Sequence, residues 1–511
     1  MKPLTFACVL VGASLLVSAP SLAASCGDLS TLTLPQTTVT TAAIVGAGAF
    51  TIPAPAGRGG GAGAAAFARL PEFCRVAATL APSSDSDIRI EVWLPTSGWN
   101  GKFQAVGNGG WAGSITYGAL AQALAAGYAA ASTDTGHTGN TAAFAVGHPE
   151  KVIDLGYRAV HEMTARAKAI IDAFYGAPPK LSIWNGCSQG GRQGITAAVR
   201  YPGDFDAVVA GAPAVNWMHL HAGRMAANRA ANATPAATIP REKYQLIHEA
   251  VLAACDAADG VSDGVLEDPP SCRFDPAVLQ CRAGQAEASC LTPPQVESAR
   301  SLYAPVVNAR KEPVLPGLVP GTELGWAVTA APQPVATALD AFRYLLYQDA
   351  TWDASRFDAA VDVDRMLQAD RDDVLGSTST DLATFFDRGG KLLVYHGWSD
   401  AQVTPRNSIE YVTKVAARLG PGVVGRSLQL YMVPGMNHCQ GGNGPDQFDE
   451  VAAMEQWVAS GVAPARIIAS RVVSGVVERT RPLCPYGQVA VWDGRNSTND
   501  ASSFACQAAT R

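Results

Sequence analysis

The sequence predicts an α/β protein with a parallel sheet, divided by one long insertion. Three observations carry that reading. Between residues 88 and 214, short apolar runs ending in polar residues alternate with segments of helical periodicity, the pattern of strands joined by crossover helices. The rhythm stops over residues 215–384, which are rich in Ala, Asp and Pro and hold four cysteines. It resumes at GGKLLVYHGWSD (residues 389–400) and SLQLYMVPGMNH (427–438). One core formed by residues 25–214 and 385–511, interrupted by 215–384, is the simplest organisation.

The elements follow in order. Residues 88–95 (IRIEVWLP) alternate like a half-buried strand. Residues 102–110 (KFQAVGNGG) form a strand running into a glycine-rich turn, and 126–136 a third strand with a polar end. Residues 152–175 carry apolar residues at helical spacing and stop at Gly176 and a proline pair. KLSIWNG (180–186) is a strand, 189–200 a helix, and 205–214 another strand. Beyond the insertion come the two strands already quoted and a packing helix over 446–460. The Gly/Ala-rich stretch 56–68 has no strand before it and reads as a surface loop, not a phosphate loop.

The chain has 511 residues, 48% hydrophobic and 16% charged, with a formal net charge of −6 and no basic run. This balance argues against nucleic acid or an anionic membrane as partner and leaves a small, weakly charged molecule as the substrate. Lys2, the apolar residues 4–17 and the small residues of Ser21-Leu22-Ala23 predict a signal peptide over residues 1–24, hence a secreted or periplasmic protein. Lipid anchoring at Cys26 is disfavoured, because Ala23 stands where that motif wants an aliphatic residue. No later segment approaches the roughly 20 apolar residues of a membrane span. Cys8 leaves with the leader, and ten cysteines remain, an even number in an oxidising compartment. They predict up to five disulfides, and no C-x-x-C spacing suggests zinc.

Gly186-Cys187-Ser188-Gln189-Gly190 fits G-x-S-x-G, a serine nucleophile on a sharp strand-to-helix turn. Asp400 and His438 follow it in the order acid then base, each at a C-terminal strand end, where open α/β sheets place their sites. His396 competes with His438 for the role of base. Oxyanion donors are expected from the Gln189 backbone and from the glycine turn, with Gly110 before Gly109. His219-Leu220-His221 lacks a third ligand for a metal. Cys187 reads as a nucleophile, a metal ligand or a disulfide partner. In CDAADGVSDGVLEDP (255–269), Asp256, Asp259 and Asp263 form either a hard-cation loop or a solvated acidic turn.

GCSQGGRQG, HGWSD and PGMNHC, with Cys directly before the serine and directly after the histidine, resemble the tannase/feruloyl esterase family. That family includes mono(2-hydroxyethyl) terephthalate hydrolase, and the resemblance runs over nearly the whole mature chain. It implies an α/β-hydrolase core with residues 215–384 as an inserted lid domain, and catalytic residues Ser188, Asp400 and His438. It implies a disulfide Cys187–Cys439, with further pairs Cys26–Cys74, Cys255–Cys272, Cys281–Cys290 and Cys484–Cys506. It implies structural Ca²⁺ held by Asp256, Asp259, the Val261 carbonyl, Asp263 and the Val265 carbonyl. The expected activity is that of a secreted serine carboxylesterase on small aromatic, hydroxycinnamic-type esters. A tannase or a terephthalate monoester hydrolase is the alternative, with Arg343 or Arg356 as the cation the latter needs. An inactive binding protein on the same scaffold is the reading from another class. Trp217, Trp326, Phe342, Tyr344, Tyr347 and Trp352 read either as pocket lining or as core of the insertion.

Overall fold

A computed structural model describes residues 23–53 and 64–509. Most of the expected signal peptide and residues 56–63 of the Gly/Ala-rich stretch therefore lie outside the described residues. Nine strands form the main sheet: β1 (Thr37–Val45), β2 (Phe73–Leu80), β3 (Ile88–Pro95), β4 (Lys102–Val106), β5 (Ala129–Thr133), β6 (Leu181–Cys187), β7 (Ala207–Gly211), β8 (Lys391–Gly397) and β9 (Leu428–Val433). Their order in space is β1-β2-β3-β5-β4-β6-β7-β8-β9.

From β5 across to β9 every neighbouring pair is parallel, as expected. The other edge corrects the expectation of a wholly parallel sheet: β1–β2, β2–β3 and β3–β5 are antiparallel. The link from β2 to β3 is too short for a crossover helix, so the chain can only turn back. Strand β4 stops at Val106 before its glycine-rich turn, as expected, and β5 stops at Thr133, so the last part of its expected polar end lies beyond the strand.

The central strands are apolar on both faces because both faces are covered. Along β8, Leu392 and Val394 enter one core with Val208 and Ala210 of β7, while Leu393 and Tyr395 enter the other with Val209. The first face is covered by helix α1 (Ala159–Tyr175), through Met163, Ile170 and Ile171. Helix α2 (Gln189–Arg200) follows the candidate nucleophile directly, as the sequence predicts. Gly176, at φ +70°, ends α1 in the left-handed region.

Strands β7 and β8 are neighbours although residues 215–384 lie between them, and that segment adds no strand to the sheet. It contributes helices α3 (Trp217–Ala231) and α4 (Lys243–Cys255) and packs cores of its own. Trp326, Phe342 and Trp352 are at most 1% exposed and belong to those cores, so they do not line a pocket. After the insertion, helix α5 (Pro405–Leu419) links β8 towards β9, and α6 (Glu450–Ser460) packs Met454 and Trp457 on the second face. Two C-terminal hairpins, unforeseen in the sequence, end the described chain.

All five expected disulfides are formed: Cys26–Cys74, Cys187–Cys439, Cys255–Cys272, Cys281–Cys290 and Cys484–Cys506. Among the described residues no helix is long and apolar enough to cross a membrane.

Candidate active site

Ser188 sits between β6 and α2 with φ +64° and ψ −122°, backbone angles that an L-residue adopts only under tertiary constraint. The constraint is visible. Ser188 N–H donates to Gly211 O (2.9 Å), and Ser188 O accepts from Ala214 N (3.1 Å) and Arg192 N (3.1 Å). The turn is so tight that a Cβ on Gly186 would meet the Gly190 backbone at 2.7 Å. The motif's glycines are there because no side chain fits.

Asp400 follows β8 and is fully buried. Its Oδ1 accepts N–H from Gln402 (2.7 Å) and Val403 (3.0 Å), and its Oδ2 lies 2.6 Å from His438 Nδ1. Burial is the largest influence on this carboxyl and pushes its pKa up. The His438 charge and the hydrogen bonds from His396 and His438 outweigh it, holding Asp400 well below the usual carboxylate range. His438 follows β9, three strands from β6, a span of roughly 14 Å at ordinary strand spacing. Its loop must therefore reach back across β8 and β7 towards Ser188. The Cys187–Cys439 bridge joins the residue before the serine to the residue after the histidine. Cys439 takes φ +67° at the far end of that bridge. Among the described residues no hydrogen bond joins Ser188 Oγ to His438, whose ring contact is the one from Nδ1 to Asp400.

Gln189 opens α2, so its N–H has no intrahelical acceptor. Gly110, at φ +56°, also has an N–H without an acceptor among the described residues. The glycine turn is fastened to α2 by a reciprocal pair: Asn108 N–H donates to Gln193 Oε1 and Gln193 Nε2 to Asn108 Oδ1, each at 3.1 Å. Trp111 of the same turn donates its Nε1–H to Thr337 O of the insertion (2.9 Å) and stacks on Trp217 at 4.3 Å. Two backbone donors, a strained serine and a carboxylate-bound imidazole are what acyl transfer to a hydroxyl requires.

A family profile described as "Tannase and feruloyl esterase" matches residues 74–507. This chain belongs to the tannase and feruloyl esterase family. It is 38% identical to an uncharacterized esterase of Xanthomonas campestris pv. campestris, over 96% of this chain and 92% of that one. It is 32% identical to a probable feruloyl esterase B-1 of Aspergillus flavus, over 85% and 86%. Its structure matches feruloyl esterase B from Aspergillus oryzae with a TM-score of 0.87 and 29% identity, covering 94% of this chain and 98% of that one. A tannin acyl hydrolase from Aspergillus niger shares the fold, with a TM-score of 0.75 at 21% identity and coverage of 92% and 90%. The enzyme is a carboxylic ester hydrolase on an α/β-hydrolase core.

The esterase's acidic loop follows α4. Asp256 accepts from Asp263 N (3.4 Å) and Gly264 N (3.1 Å), Asp259 from Val261 N (2.9 Å), and Asp263 from Val265 N (3.2 Å). Burial, with the Asp263 and Asp256 charges adding to it, raises Asp259 to about 6. Arg479 and Arg481 pair with Asp263 from the C-terminal hairpin. These hard oxygen donors fit Ca²⁺ in kind. Among the described residues no three His, Cys, Asp or Glu side chains stand close enough to hold an ion alone. An ion here would also need the Val261 and Val265 carbonyls.

The two arginines considered for a substrate carboxylate are engaged elsewhere in the esterase. Arg343 donates to Trp352 O (2.7 Å), and Arg356 is an exposed residue beside Asp349. His221 stacks on Trp111 at 5.3 Å and packs at a tilt against Trp217 at 5.4 Å. Sequence reasoning missed Gln193 and Arg192. Only their position within the first two turns after the nucleophile could have signalled them.

Proposed function

We propose that this enzyme is an exported serine carboxylesterase that hydrolyses esters of hydroxycinnamic-type aromatic acids. The observation that carries the mechanism is the Asp400–His438 contact on a loop bonded through Cys439 to the residue before Ser188. Ser188 Oγ attacks the ester carbonyl as His438 Nε2 takes its proton. The oxyanion rests on the Gln189 and Gly110 N–H groups, and His438 then returns the proton to the departing alcohol. Water, deprotonated by the same imidazole, releases the acid from Ser188. Asp400 stays ionised throughout, fixing the tautomer and steadying the imidazolium.

The acid class rests on the feruloyl esterases at about 30% identity, whereas likeness to the tannin acyl hydrolase speaks to fold alone. Residues 215–384 serve as the lid over this site. Export is supported by the character of residues 1–24 and by five disulfides. Asp256, Asp259, Asp263 and the Val261 and Val265 carbonyls hold a structural Ca²⁺ remote from the serine.

A hydrolysis panel of methyl ferulate, methyl gallate and the terephthalate monoester tests the substrate class. Methyl ferulate should show the highest kcat/KM, and a preference for either of the others would overturn this choice of acid. Ser188→Ala should lower kcat by about 10⁴-fold or more. A variant with full activity would refute the serine mechanism.

A further inference from the structure

His396 ends β8 four residues before Asp400 and is fully buried. Its Nε2 lies 2.8 Å from Val403 O and 3.1 Å from Asp400 Oδ2. Both neighbours are acceptors, so Nε2 carries the hydrogen. Its Nδ1 lies 2.7 Å from Ser408 Oγ on α5. With the hydrogen on Nε2, Nδ1 is the accepting nitrogen, and the Ser408 hydroxyl, which has no other partner among the described residues, donates to it. An imidazole with its hydrogen on Nε2 and the Ser408 hydroxyl donating to Nδ1 satisfies all three contacts.

This geometry removes His396 as a candidate base. Both of its nitrogens are occupied and the side chain is 0% exposed, whereas His438 is 13% exposed with Nε2 free. It also gives Asp400 Oδ2 two imidazole donors at once, His438 Nδ1 and His396 Nε2. With the Gln402 and Val403 N–H groups on Oδ1, every lone-pair direction of the carboxylate is used.

We propose that His396 is a positioning residue of the catalytic machinery, a second imidazole donor that orients Asp400 and moderates its pull on His438. This rests on the triad reading above. A carboxylate that shares its charge among four donors binds the His438 imidazolium less tightly than one with three. Arg224 of α3, which donates to Gln402 O, also faces Asp400. It is common to all the variants below and does not account for a difference between them.

The test compares His396→Leu with His396→Gln in the full-length enzyme, reading kcat, KM and the pH profile of kcat/KM. The leucine removes the donor, so Asp400 becomes more basic and His438 gains its proton at higher pH. The acid limb should then move upward by about half a unit or more, and kcat should fall roughly tenfold with little change in KM. Glutamine keeps an N–H and should recover most of both. A general loosening of the site would weaken the Asp400–His438 contact and move the limb downward. A limb that stays put or moves down, or a glutamine variant as impaired as leucine, would overturn the proposal.

Should the leucine variant fail to fold, histidine-selective ¹⁵N labelling of the Ser188→Ala protein asks the same question. One imidazole should stay protonated on Nε2 alone while His438 titrates. A His396 that titrates with it, or that carries its proton on Nδ1, sinks the idea. The triad reading fails separately, through a Ser188→Ala enzyme that remains active.

Discussion

Arg192 is fully buried, yet its guanidinium reaches five acceptors on three parts of the chain. Nε donates to Gln189 Oε1 (2.7 Å), Nη1 to Leu375 O (3.1 Å) and Ser377 Oγ (3.0 Å), and Nη2 to Leu155 O (3.3 Å) and Gly156 O (3.2 Å). Leu155 and Gly156 lie in a π-turn before α1, and the Trp217 ring lies under the guanidinium at 4.9 Å. Burial lowers the group to about 10, so it is charged at neutral pH and its donors are charge-assisted. One side chain thus joins Gln189, the residue after Ser188, to the insertion. Arg192→Met should lower stability by about 3–5 kcal/mol, because five acceptors lose one planar partner. Arg192→Lys should restore little of it, since an ammonium cannot span the fan. Denaturation midpoints of the two variants beside kcat check this. A lysine variant with wild-type stability would show that charge alone suffices.

At the scale of elements, the acidic loop is crossed by two constraints. Cys255–Cys272 closes it at its base, and Arg479 and Arg481 reach Asp263 from the C-terminal hairpin. Three carboxylates on one short loop repel one another, and two arginines contact only one of them. A bound Ca²⁺ would relieve the remainder and tie the hairpin to the insertion. Chelation should therefore lower the thermal midpoint while leaving KM nearly unchanged, with full recovery on adding calcium. A midpoint indifferent to chelator would refute the calcium assignment. The loop, β3 to β9 and α2 were legible in the sequence, as were the turn that carries Ser188 and the strand ends that carry Asp400 and His438, because each depends on local pattern. Edge strands β1 and β2 were not. β2 carries Arg75 among its apolar residues, and only the fold places Glu91 of β3 beside it, at 2.8 Å to Arg75 Nε. The same holds for Gln193 with Asn108, and for His396 with Ser408. A polar residue in an apolar run reads as a break until its partner, remote in the chain, is known.

For the whole molecule, the decisive constraint is the span of the sheet. Ser188 and His438 follow β6 and β9, with β7 and β8 between them and the 215–384 insertion between β7 and β8. Packing fixes the strands, but nothing in the sheet compels the loop after β9 to lean back over two neighbours. Cys187–Cys439, spanning 252 residues, supplies that compulsion, with its first end beside Ser188 at φ +64° and its second at Cys439 itself at φ +67°. Chain entropy alone would assign a loop of this length about 5 kcal/mol, as an upper bound with four other bridges still in place. The catalytic share is separate, because a displacement of about 1 Å between nucleophile and base can cost on the order of 100-fold in rate. A Cys187→Ser/Cys439→Ser enzyme should therefore fold with a lowered midpoint and lose kcat at least tenfold at temperatures well below it. Mild reduction of the wild-type enzyme should abolish most activity before the near-ultraviolet signal of tertiary packing changes. A double variant less stable but as fast as wild type would make the bridge a staple of the fold alone. The reach of the base across β7 and β8 would then be held by packing within the 434–444 loop.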